Sequence, residues 1–596
     1  MRGSSENFEF RRWTSTSKSS FTIVNSPFSV SSALKFFVLR AAFIAIITSL
    51  LFPLFISAQQ INKNATGKNG MVVSAREEAS KIGLNILMKG GNAFDAAVAV
   101  HFALAVCYPQ AGNIGGGGFM LARTANGENI ALDFREKAPT SATTNMYLDA
   151  NGNVIDNLSI IGHLSVGVPG SVDGMETLHK KYGSLPWKDL ITPAIELAEK
   201  GFILTELDVI ELNLYASDFD HYNPFNKYLQ SNKLFKAGDT IIQTNLANTL
   251  REIANNGKRG FYEGAIASMI LKEIKRGGGI ITLEDLQNYQ SVWRTPLAGK
   301  FYGYDIITMP PPSSGGIALL QMLHMLEKLK IKKYKINSPE YISLVVEVER
   351  LAYSDRSHHL GDPDFYSVNS NALLDPAYLK TRYSTIKPLQ YTPSQNVVPG
   401  NPESEQTTHF SIIDKFGNAV GITTTLNSRF GSKVFVTGAG FLLNNEMDDF
   451  SVKPGVPNQF GLLGDSANSI QPGKRMLSSM TPTIVCKNKK PVLITGSPGG
   501  ATIITSVLQN ILQTLVYKKS LKDALANPRF HHQWYPDKIF LEEAWKSNTT
   551  TINKLQNAGY PIQYRELIGR VNAILKKGNL YYGSGDPRGD DMSGGY

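Results

Sequence analysis

The sequence predicts an α/β fold, of the α+β layered kind in which helices cover β-sheets. Apolar residues recur at helical spacing over residues 74–104, with a break at Gly90-Gly91. Strand-like runs follow at 119–123 and 128–136, and helical spacing then dominates residues 170–295. New strands begin at Thr407 and more helices follow them, which is the order typical of layered α/β proteins.

Individual helices are predicted wherever apolar side chains return every three or four positions. The clearest cover residues 93–106, 189–200, 245–255, 265–276, 317–329, 502–515 and 521–526. Residues 409–413 and 419–426 are predicted to form a hairpin around a five-residue loop. If Ile413 pairs with Ala419, Thr425 lies opposite Thr407, and Asn427 lies on the same face as Thr425.

Residues 41–58 are uncharged and mostly apolar, and Lys35 and Arg40 precede them. Pro53 and the small pair Ser57-Ala58 favour a signal peptide cleaved after Ala58. The alternative is an uncleaved N-terminal membrane anchor, since the basic flank lies on the N-terminal side. In both cases residues 1–58 are a targeting segment, and we expect an exported body that is periplasmic, secreted or anchored outside the cytoplasm.

The composition argues against several other functions. The net charge is +10, but no run of Lys and Arg is interleaved with aromatic residues, so we expect no nucleic-acid partner. Cys107 and Cys486 are the two cysteines, and we interpret them as a buried, inert pair. There is no HExxH or CxxC pattern and residues 115–118 lack a phosphate-loop ending, so no metal and no cofactor are predicted.

Thr407 follows a segment, residues 387–406, that has four prolines and no apolar periodicity, and we interpret that segment as a surface linker. A threonine released as a new N-terminus carries its own base, because the free α-amine has a pKa of about 7.7 to 8.0. Thr407 is therefore a candidate nucleophile, with Thr425 as its strand neighbour. The alternative is that both are ordinary strand residues, because β-branched side chains fit sheets well.

Glu446 and Asp449 are three residues apart, so one helical turn would bring both carboxylates to one side, where they could hold an ammonium group. A solvated acidic turn is the alternative. Arg135 is a candidate for binding a carboxylate in bidentate fashion, because its guanidinium carries paired donors.

Two short polar segments complete the candidates. Ser478 and Ser479 could donate neutral hydrogen bonds to a carboxylate. Gly499-Gly500 would let backbone N–H groups approach a substrate closely, as an oxyanion hole requires, although a strand-to-helix turn is equally compatible with the pair.

From about Gly67 to Tyr596 these segments, in this order, resemble the γ-glutamyltranspeptidase (γ-glutamyltransferase) family of the N-terminal-nucleophile hydrolase superfamily. The resemblance is carried by GGNAFDAAVAV near residues 91–100, PQAGNIGGGGFM (109–120), DFRE (133–136), MPPPSSGG (309–316), QTTHF (406–410), LLNNEMDDFS (442–451), LSSMTPT (477–483), TGSPGG (495–500) and FHHQW (530–534).

The resemblance implies an αββα sandwich and a precursor that cuts itself between Gln406 and Thr407. It further implies a large subunit, 59–406, and a small catalytic subunit, 407–596. Thr407 would take the γ-glutamyl group of glutathione or another γ-glutamyl amide as an ester, and water or an acceptor amino acid or dipeptide would resolve it.

By the same resemblance, each candidate residue has a role. Arg135, Ser478 and Ser479 would bind the α-carboxylate; Asn427, Glu446 and Asp449 the α-amino group; Gly499 and Gly500 the oxyanion; and Thr425 would orient Thr407. Residues 454–465 resemble the lid of many bacterial members. Phe460 stands where a tyrosine is common, so a lid hydrogen bond is lost and we expect looser closure.

Two alternatives stay open at the level of the sequence. The first is an acylase of the same fold, acting on cephalosporin-type amides or poly-γ-glutamate. Arg135 and Asp449 argue against the cephalosporin-type substrate, because an acyl group without both charges would leave them unpaired. The second is an unprocessed, non-catalytic binding protein. The presence of Thr407, Thr425 and Gly499-Gly500 argues against it.

Overall fold

Two β-sheets form the centre of the protein in a computed structural model that describes residues 60–224, 234–397, 407–453 and 465–596. The predicted targeting segment, the end of the linker and Phe460 lie outside these ranges. Within them, none of the helices combines the length and apolar character needed to cross a bilayer.

The strands in chain order are β1 (Gln60–Asn62), β2 (Asn64–Gly67), β3 (Met71–Ser74), β4 (Gly117–Arg123), β5 (Asn129–Phe134), β6 (Phe202–Ile203), β7 (Thr240–Ile241), β8 (Val292–Arg294), β9 (Leu297–Phe301), β10 (Tyr304–Thr308), β11 (Thr408–Ile413), β12 (Ala419–Thr425), β13 (Thr483–Lys487), β14 (Lys490–Gly496), β15 (Phe530–His531), β16 (Ile539–Glu542), β17 (Ile562–Arg565), β18 (Asn572–Lys577), β19 (Leu580–Ser584) and β20 (Met592–Gly595). The first sheet has the order β1-β20-β3-β11-β12-β4-β5-β8, and the second has the order β2-β19-β18-β14-β13-β10-β9.

The helices are α1 (Glu77–Met88), α2 (Ala93–Cys107), α3 (Ser171–Tyr182), α4 (Trp187–Lys200), α5 (Glu206–Leu214), α6 (Ala216–Tyr222), α7 (Thr244–Asn256), α8 (Arg259–Tyr262), α9 (Gly264–Arg276), α10 (Leu283–Gln287), α11 (Gly315–Lys328), α12 (Pro339–His359), α13 (Ser370–Leu373), α14 (Pro376–Tyr383), α15 (Thr502–Ile511), α16 (Leu521–Ala526) and α17 (Thr549–Asn557). The predicted helices are all present within a few residues. Residues 502–515 differ in detail, because α15 passes into a π-helical turn, Leu512–Val516.

Three apolar clusters show how the layers pack. Alternate residues of a strand face opposite sides of its sheet, so Val72 packs with α1 and α2 while Val73 packs between the sheets. The inner cluster joins Phe119 of the first sheet to Ile307 and Ile484 of the second. A third cluster packs α11, α12 and α15 on the outer face of the second sheet. The predicted αββα sandwich is confirmed.

The hairpin of β11 and β12 has the predicted register. Ile413 pairs with Ala419, and the ladder runs to Thr408 and Thr424. Continued by one residue, the same register places Thr407 opposite Thr425, which is the last residue of β12 and pairs with Gly117 of β4. Thr407 therefore stands at the strand end where the first sheet meets its connecting loops.

Residues 387–397, the described part of the predicted surface linker, lie largely at the surface, but two buried residues anchor the segment in the protein. Ser394 is buried, donates its hydroxyl to the Trp534 carbonyl at 2.6 Å and accepts from the Trp534 indole N–H at 2.9 Å. Val397 is buried as well. The cysteine prediction is confirmed: both thiols are free and buried, and burial raises the pKa of Cys486 to about 11.

Candidate active site

Thr407 lies in the wall of two cavities. Its side chain is 5% exposed, and the residue directly precedes β11. The first cavity, about 200 Å³ with the space at its open mouth included, brings together eight of the ten candidate residues: Arg135, Thr407, Thr425, Asn427, Asp449, Ser478, Ser479 and Gly500. The other two candidates stand beside it, since Glu446 contacts Arg135 and Gly499 lines the second cavity.

Arg135 is the charged centre of the first cavity. It follows β5 directly and is 1% exposed, with its carbonyl accepting from the Tyr289 hydroxyl at 2.7 Å. Its guanidinium lies 2.9 Å from the carboxylate of Glu446 and makes a second ion pair with Asp449. The carboxylate of Glu136 lies 3.5 Å from the same guanidinium. The guanidinium of Arg135 thus faces three carboxylates, and the positive charge of Arg356 also acts on Asp449.

Burial perturbs the protonation of all three acids. Burial raises the pKa of Glu136 to about 8, although the positive charge of Arg135 opposes the shift. Burial also raises the pKa of Glu446 and of Asp449, again against the effect of Arg135. With a pKa of about 8, the Glu136 carboxyl is mostly protonated at neutral pH. A bound ammonium group would add a positive charge beside these acids.

The acidic residues are held by a turn of 3₁₀ helix, Glu446–Asp449. Asn444 fixes the start of this turn, because its side-chain oxygen accepts from the Glu446 N–H at 3.0 Å and its amide donates to the Gly115 carbonyl at 2.9 Å. Both carboxylates are buried. The prediction that the turn brings them to one side is confirmed, and the alternative of a solvated acidic turn is wrong.

Ser478 and Ser479 lie on a loop that Ser314 and Arg356 anchor. Ser314 donates both its N–H and its hydroxyl to the Ser478 carbonyl, at 2.6 and 2.7 Å. Arg356, on α12, donates to the hydroxyls of Ser314 at 2.8 Å and Ser479 at 3.4 Å. The roles of Ser314 and Arg356 were not predicted from the sequence. Ser314 lies in the quoted MPPPSSGG block, which was the available signal, whereas nothing in the sequence around Arg356 marks it.

Thr425 and Asn427 are joined by a direct hydrogen bond, in which the Asn427 N–H donates to the Thr425 hydroxyl at 2.8 Å. Asn427 has φ = 73°, a left-handed conformation that asparagine tolerates better than most residues. Asn113 supports the strand end by donating to the Thr425 carbonyl at 2.8 Å. The glycines at 115–118 permit this packing, because a Cβ on Gly116 would lie 2.1 Å from that same carbonyl.

Gly499 and Gly500 form the turn into α15. Their φ angles are 126° and 54°, and their carbonyls accept from the N–H groups of Thr502 and Ile503 at 3.0 and 2.9 Å. Gly499 lines the second cavity and Gly500 lines the first. The pair therefore stands where the two cavities meet at Thr407, which is where a developing oxyanion would need donors.

A family model described as Gamma-glutamyltranspeptidase matches residues 79–596. The chain belongs to the γ-glutamyltranspeptidase family. Among curated relatives, the glutathione hydrolase proenzyme of Escherichia coli (strain K12) is 46% identical over 537 residues, which cover 89% of this chain and 92% of that protein.

Two solved structures extend the comparison within the γ-glutamyltranspeptidase fold. The Helicobacter pylori gamma-glutamyltranspeptidase is 47% identical with a TM-score of 0.53, and the match covers 54% of this chain and 93% of that one. The cephalosporin acylase from Bacillus halodurans is 25% identical with a TM-score of 0.78, over 92% of this chain and 99% of that one. The same fold thus occurs in two proteins that are named for different activities.

Proposed function

We propose that this protein is a self-cleaving γ-glutamyltranspeptidase and glutathione hydrolase. It transfers the γ-glutamyl group of glutathione and related amides to water or to an amine acceptor. The observation that carries the proposal is the first cavity, where a buried guanidinium and buried carboxylates lie beside a threonine that begins a strand. Such a cavity fits a ligand that carries both an α-carboxylate and an α-ammonium group.

The reaction begins with cleavage of the Gln406–Thr407 peptide bond, which gives Thr407 a free α-amine. That amine accepts the proton of the Thr407 hydroxyl while its oxygen attacks the γ-carbonyl carbon of the substrate. The resulting oxyanion receives hydrogen bonds from the backbone N–H groups of Gly499 and Gly500. The proton then passes to the departing amine, the C–N bond breaks and a γ-glutamyl ester of Thr407 remains. Water or an acceptor amine attacks this ester and restores the hydroxyl.

Recognition of both α-groups explains why the enzyme is specific for γ-linked glutamyl groups. Arg135, Ser478 and Ser479 bind the α-carboxylate, and Asp449, Glu446 and Asn427 bind the α-ammonium group. In an α-linked peptide the carboxyl carbon of the glutamyl unit is part of the amide bond, so that unit cannot present both groups free. An ordinary peptide has no free α-carboxylate at the reacting residue for Arg135, Ser478 and Ser479 to bind.

The pairing of Arg135 with Asp449 changes the case against the acylase alternative. Arg135 and Asp449 pair with each other in this structure, so a ligand without an amine would not leave Asp449 alone, and the expectation that both would be unpaired is wrong. The surplus of carboxylates is the better argument. A glutaryl group would bring another carboxylate to this cluster of three acids with no positive charge of its own, whereas a γ-glutamyl group brings a compensating ammonium.

The first test is a denaturing gel with N-terminal sequencing. We expect two fragments, of which the smaller begins at Thr407, and we expect Thr407→Ala to remain a single, inactive chain. An uncut protein, a fragment that begins elsewhere, or an active Thr407→Ala variant would contradict the proposal. Hydrolysis of a γ-glutamyl anilide should exceed that of the glutaryl anilide, which lacks the α-amine, and equal or reversed rates would favour an acylase.

We further propose that residues 1–58 direct the body out of the cytoplasm. Support comes from the apolar run at 41–58 and the basic residues that precede it. Cell fractionation with N-terminal sequencing of the larger fragment tests this. A body in the exported fraction that starts at Gln59 indicates a cleaved signal, an intact N-terminus there indicates an anchor, and recovery in the cytoplasm would contradict export.

A further inference from the structure

A second cavity, of about 750 Å³, shares Thr407 and is lined on another part of its wall by Gly499, Glu211, Arg429, Arg570 and Arg588. The reacting carbonyl of an acyl-transfer substrate has two substituents. In the proposed function, the first cavity holds the acyl chain. Because Thr407 lines both cavities and one glycine of the pair lines each, the second cavity is placed to hold the other substituent, which is the departing or incoming amine.

Three arginines make this cavity cationic, but two of them are already used by the protein. Arg570 pairs with Asp591 and donates to the Tyr108 hydroxyl at 2.7 Å. Arg588 donates to both carboxylate oxygens of Glu542, each at 2.6 Å. These two guanidiniums therefore have structural partners on several sides.

Arg429 differs from them. Its side chain is 34% exposed, and within the described ranges its guanidinium has one ion-pair partner, Glu211. Glu211 uses one carboxylate oxygen for that pair, and its other oxygen is buried without a hydrogen-bond partner among the described residues. The pair thus has both donor and acceptor capacity left over for a ligand.

The backbone on both sides of Arg429 is fixed. The Ser428 N–H donates to the Asn445 side chain at 2.8 Å, and the Phe430 N–H donates to the Gln110 carbonyl at 3.0 Å. Asn427, two residues before Arg429, lines the first cavity. One short anchored segment therefore contributes a side chain to each cavity.

We propose that Arg429, oriented by Glu211, binds the C-terminal carboxylate of a short peptide in the second cavity, an inference that rests on the proposed function. The departing half of glutathione and a dipeptide acceptor have the same layout, with an amine at the reacting carbon and a carboxylate about 7 Å farther along the chain. The second oxygen of Glu211 accepts a peptide N–H. The acceptor amine forms the new C–N bond as the Thr407 C–O bond breaks, and its proton returns to the Thr407 oxygen.

The test compares two acceptors, glycylglycine and glycylglycinamide, with a γ-glutamyl anilide as donor. In the unaltered enzyme we expect KM to be at least about tenfold lower for glycylglycine, because only that acceptor offers a carboxylate for a charge-assisted hydrogen bond. In Arg429→Gln the ratio of the two KM values should fall to within about twofold, because the guanidinium is gone. Arg251→Gln is the matched control, since Arg251 forms an exposed ion pair with Glu199 elsewhere, and it should keep the full ratio.

Each outcome bears on one proposal. No preference for glycylglycine in the unaltered enzyme, or an unchanged ratio in Arg429→Gln, would overturn the role of Arg429. Because the first comparison uses the unaltered protein, an absent preference overturns the role of Arg429 even if the variant fails to fold. Failure of the unaltered protein to release the anilide at all would instead overturn the proposed function.

Discussion

The guanidinium of Arg135 and the carboxylate of Glu446 form a buried ion pair with 2.9 Å between Nη1 and Oε1. Asp449 and Glu136 compete for the same guanidinium. Three buried carboxylates thus share this guanidinium, and we expect the site to favour a ligand that brings a positive charge. Four predictions follow from this site and its supports.

Asp449→Asn should lower kcat/KM for a γ-glutamyl anilide by roughly 30-fold or more, because truncating a buried charge pair costs about 2 to 5 kcal/mol. The glutaryl anilide, which has no α-amine, should lose less. Steady-state kinetics with both substrates measure the difference. Asp220→Asn changes an exposed aspartate elsewhere and should leave both values unaltered. Equal losses for the two anilides would show that Asp449 acts through Arg135 alone.

Glu136→Gln should flatten the dependence of stability on pH. The carboxyl group has a pKa of about 8 in the folded protein and about 4.3 in the unfolded chain. Folding therefore takes up a proton, so this contribution to stability is full below about pH 4 and is lost as the pH rises through 8.

Thermal unfolding midpoints at about pH 5 and pH 8 measure the effect. The midpoint of the unaltered protein should fall more between these two values than that of Glu136→Gln. Glu543→Gln, which changes an exposed glutamate, should behave like the unaltered protein. An identical fall in Glu136→Gln would mean that the carboxyl group is ionised in the folded state.

Thr425→Val should reduce both stability and kcat, whereas Thr425→Ser should retain most of each. Valine removes the hydroxyl that accepts the Asn427 N–H at 2.8 Å, and leaving a buried donor unsatisfied costs about 1 to 3 kcal/mol. The same hydroxyl borders the cavity with Thr407. Thermal unfolding and kcat for the anilide measure the two effects. Damage in Thr425→Ser as large as in Thr425→Val would show that the methyl group matters as much as the hydroxyl.

Gly499→Ala should lower kcat by roughly 100-fold, the usual cost of losing one oxyanion donor. Gly499 has φ = 126°, and a Cβ there would lie 2.4 Å from the Thr502 hydroxyl, so the turn must shift. Gly578→Ala is the control: it also has positive φ, 62°, but its Cβ would meet open space. It should cost about 1 to 2 kcal/mol of stability and leave kcat unchanged. Full activity in Gly499→Ala would exclude its N–H from the reaction.

Local patterns allowed the hairpin of β11 and β12 to be predicted to the residue, because strand alternation and a short loop fix its register. The candidate residues of the first cavity could also be predicted from the sequence, since each lies in a distinctive short motif. Arg356 was not, because it reaches Ser479 across 123 residues of sequence. The burial of Ser394 was not predictable for the same reason, because its buried partner Trp534 is 140 residues away. Contacts of this kind depend on tertiary packing and leave no local period.

The strands on either side of the Gln406–Thr407 bond alternate within both sheets. In the part of the chain that the structure describes, six strand pairs join them, including β3 with β11, β4 with β12 and β10 with β13. Once that bond is cut, dilution alone would not separate the fragments, since departure of either would expose unpaired edges in both sheets. Fragments from different molecules would not exchange on mixing, so each Thr407 would stay beside the Arg135 of the chain in which both were synthesised.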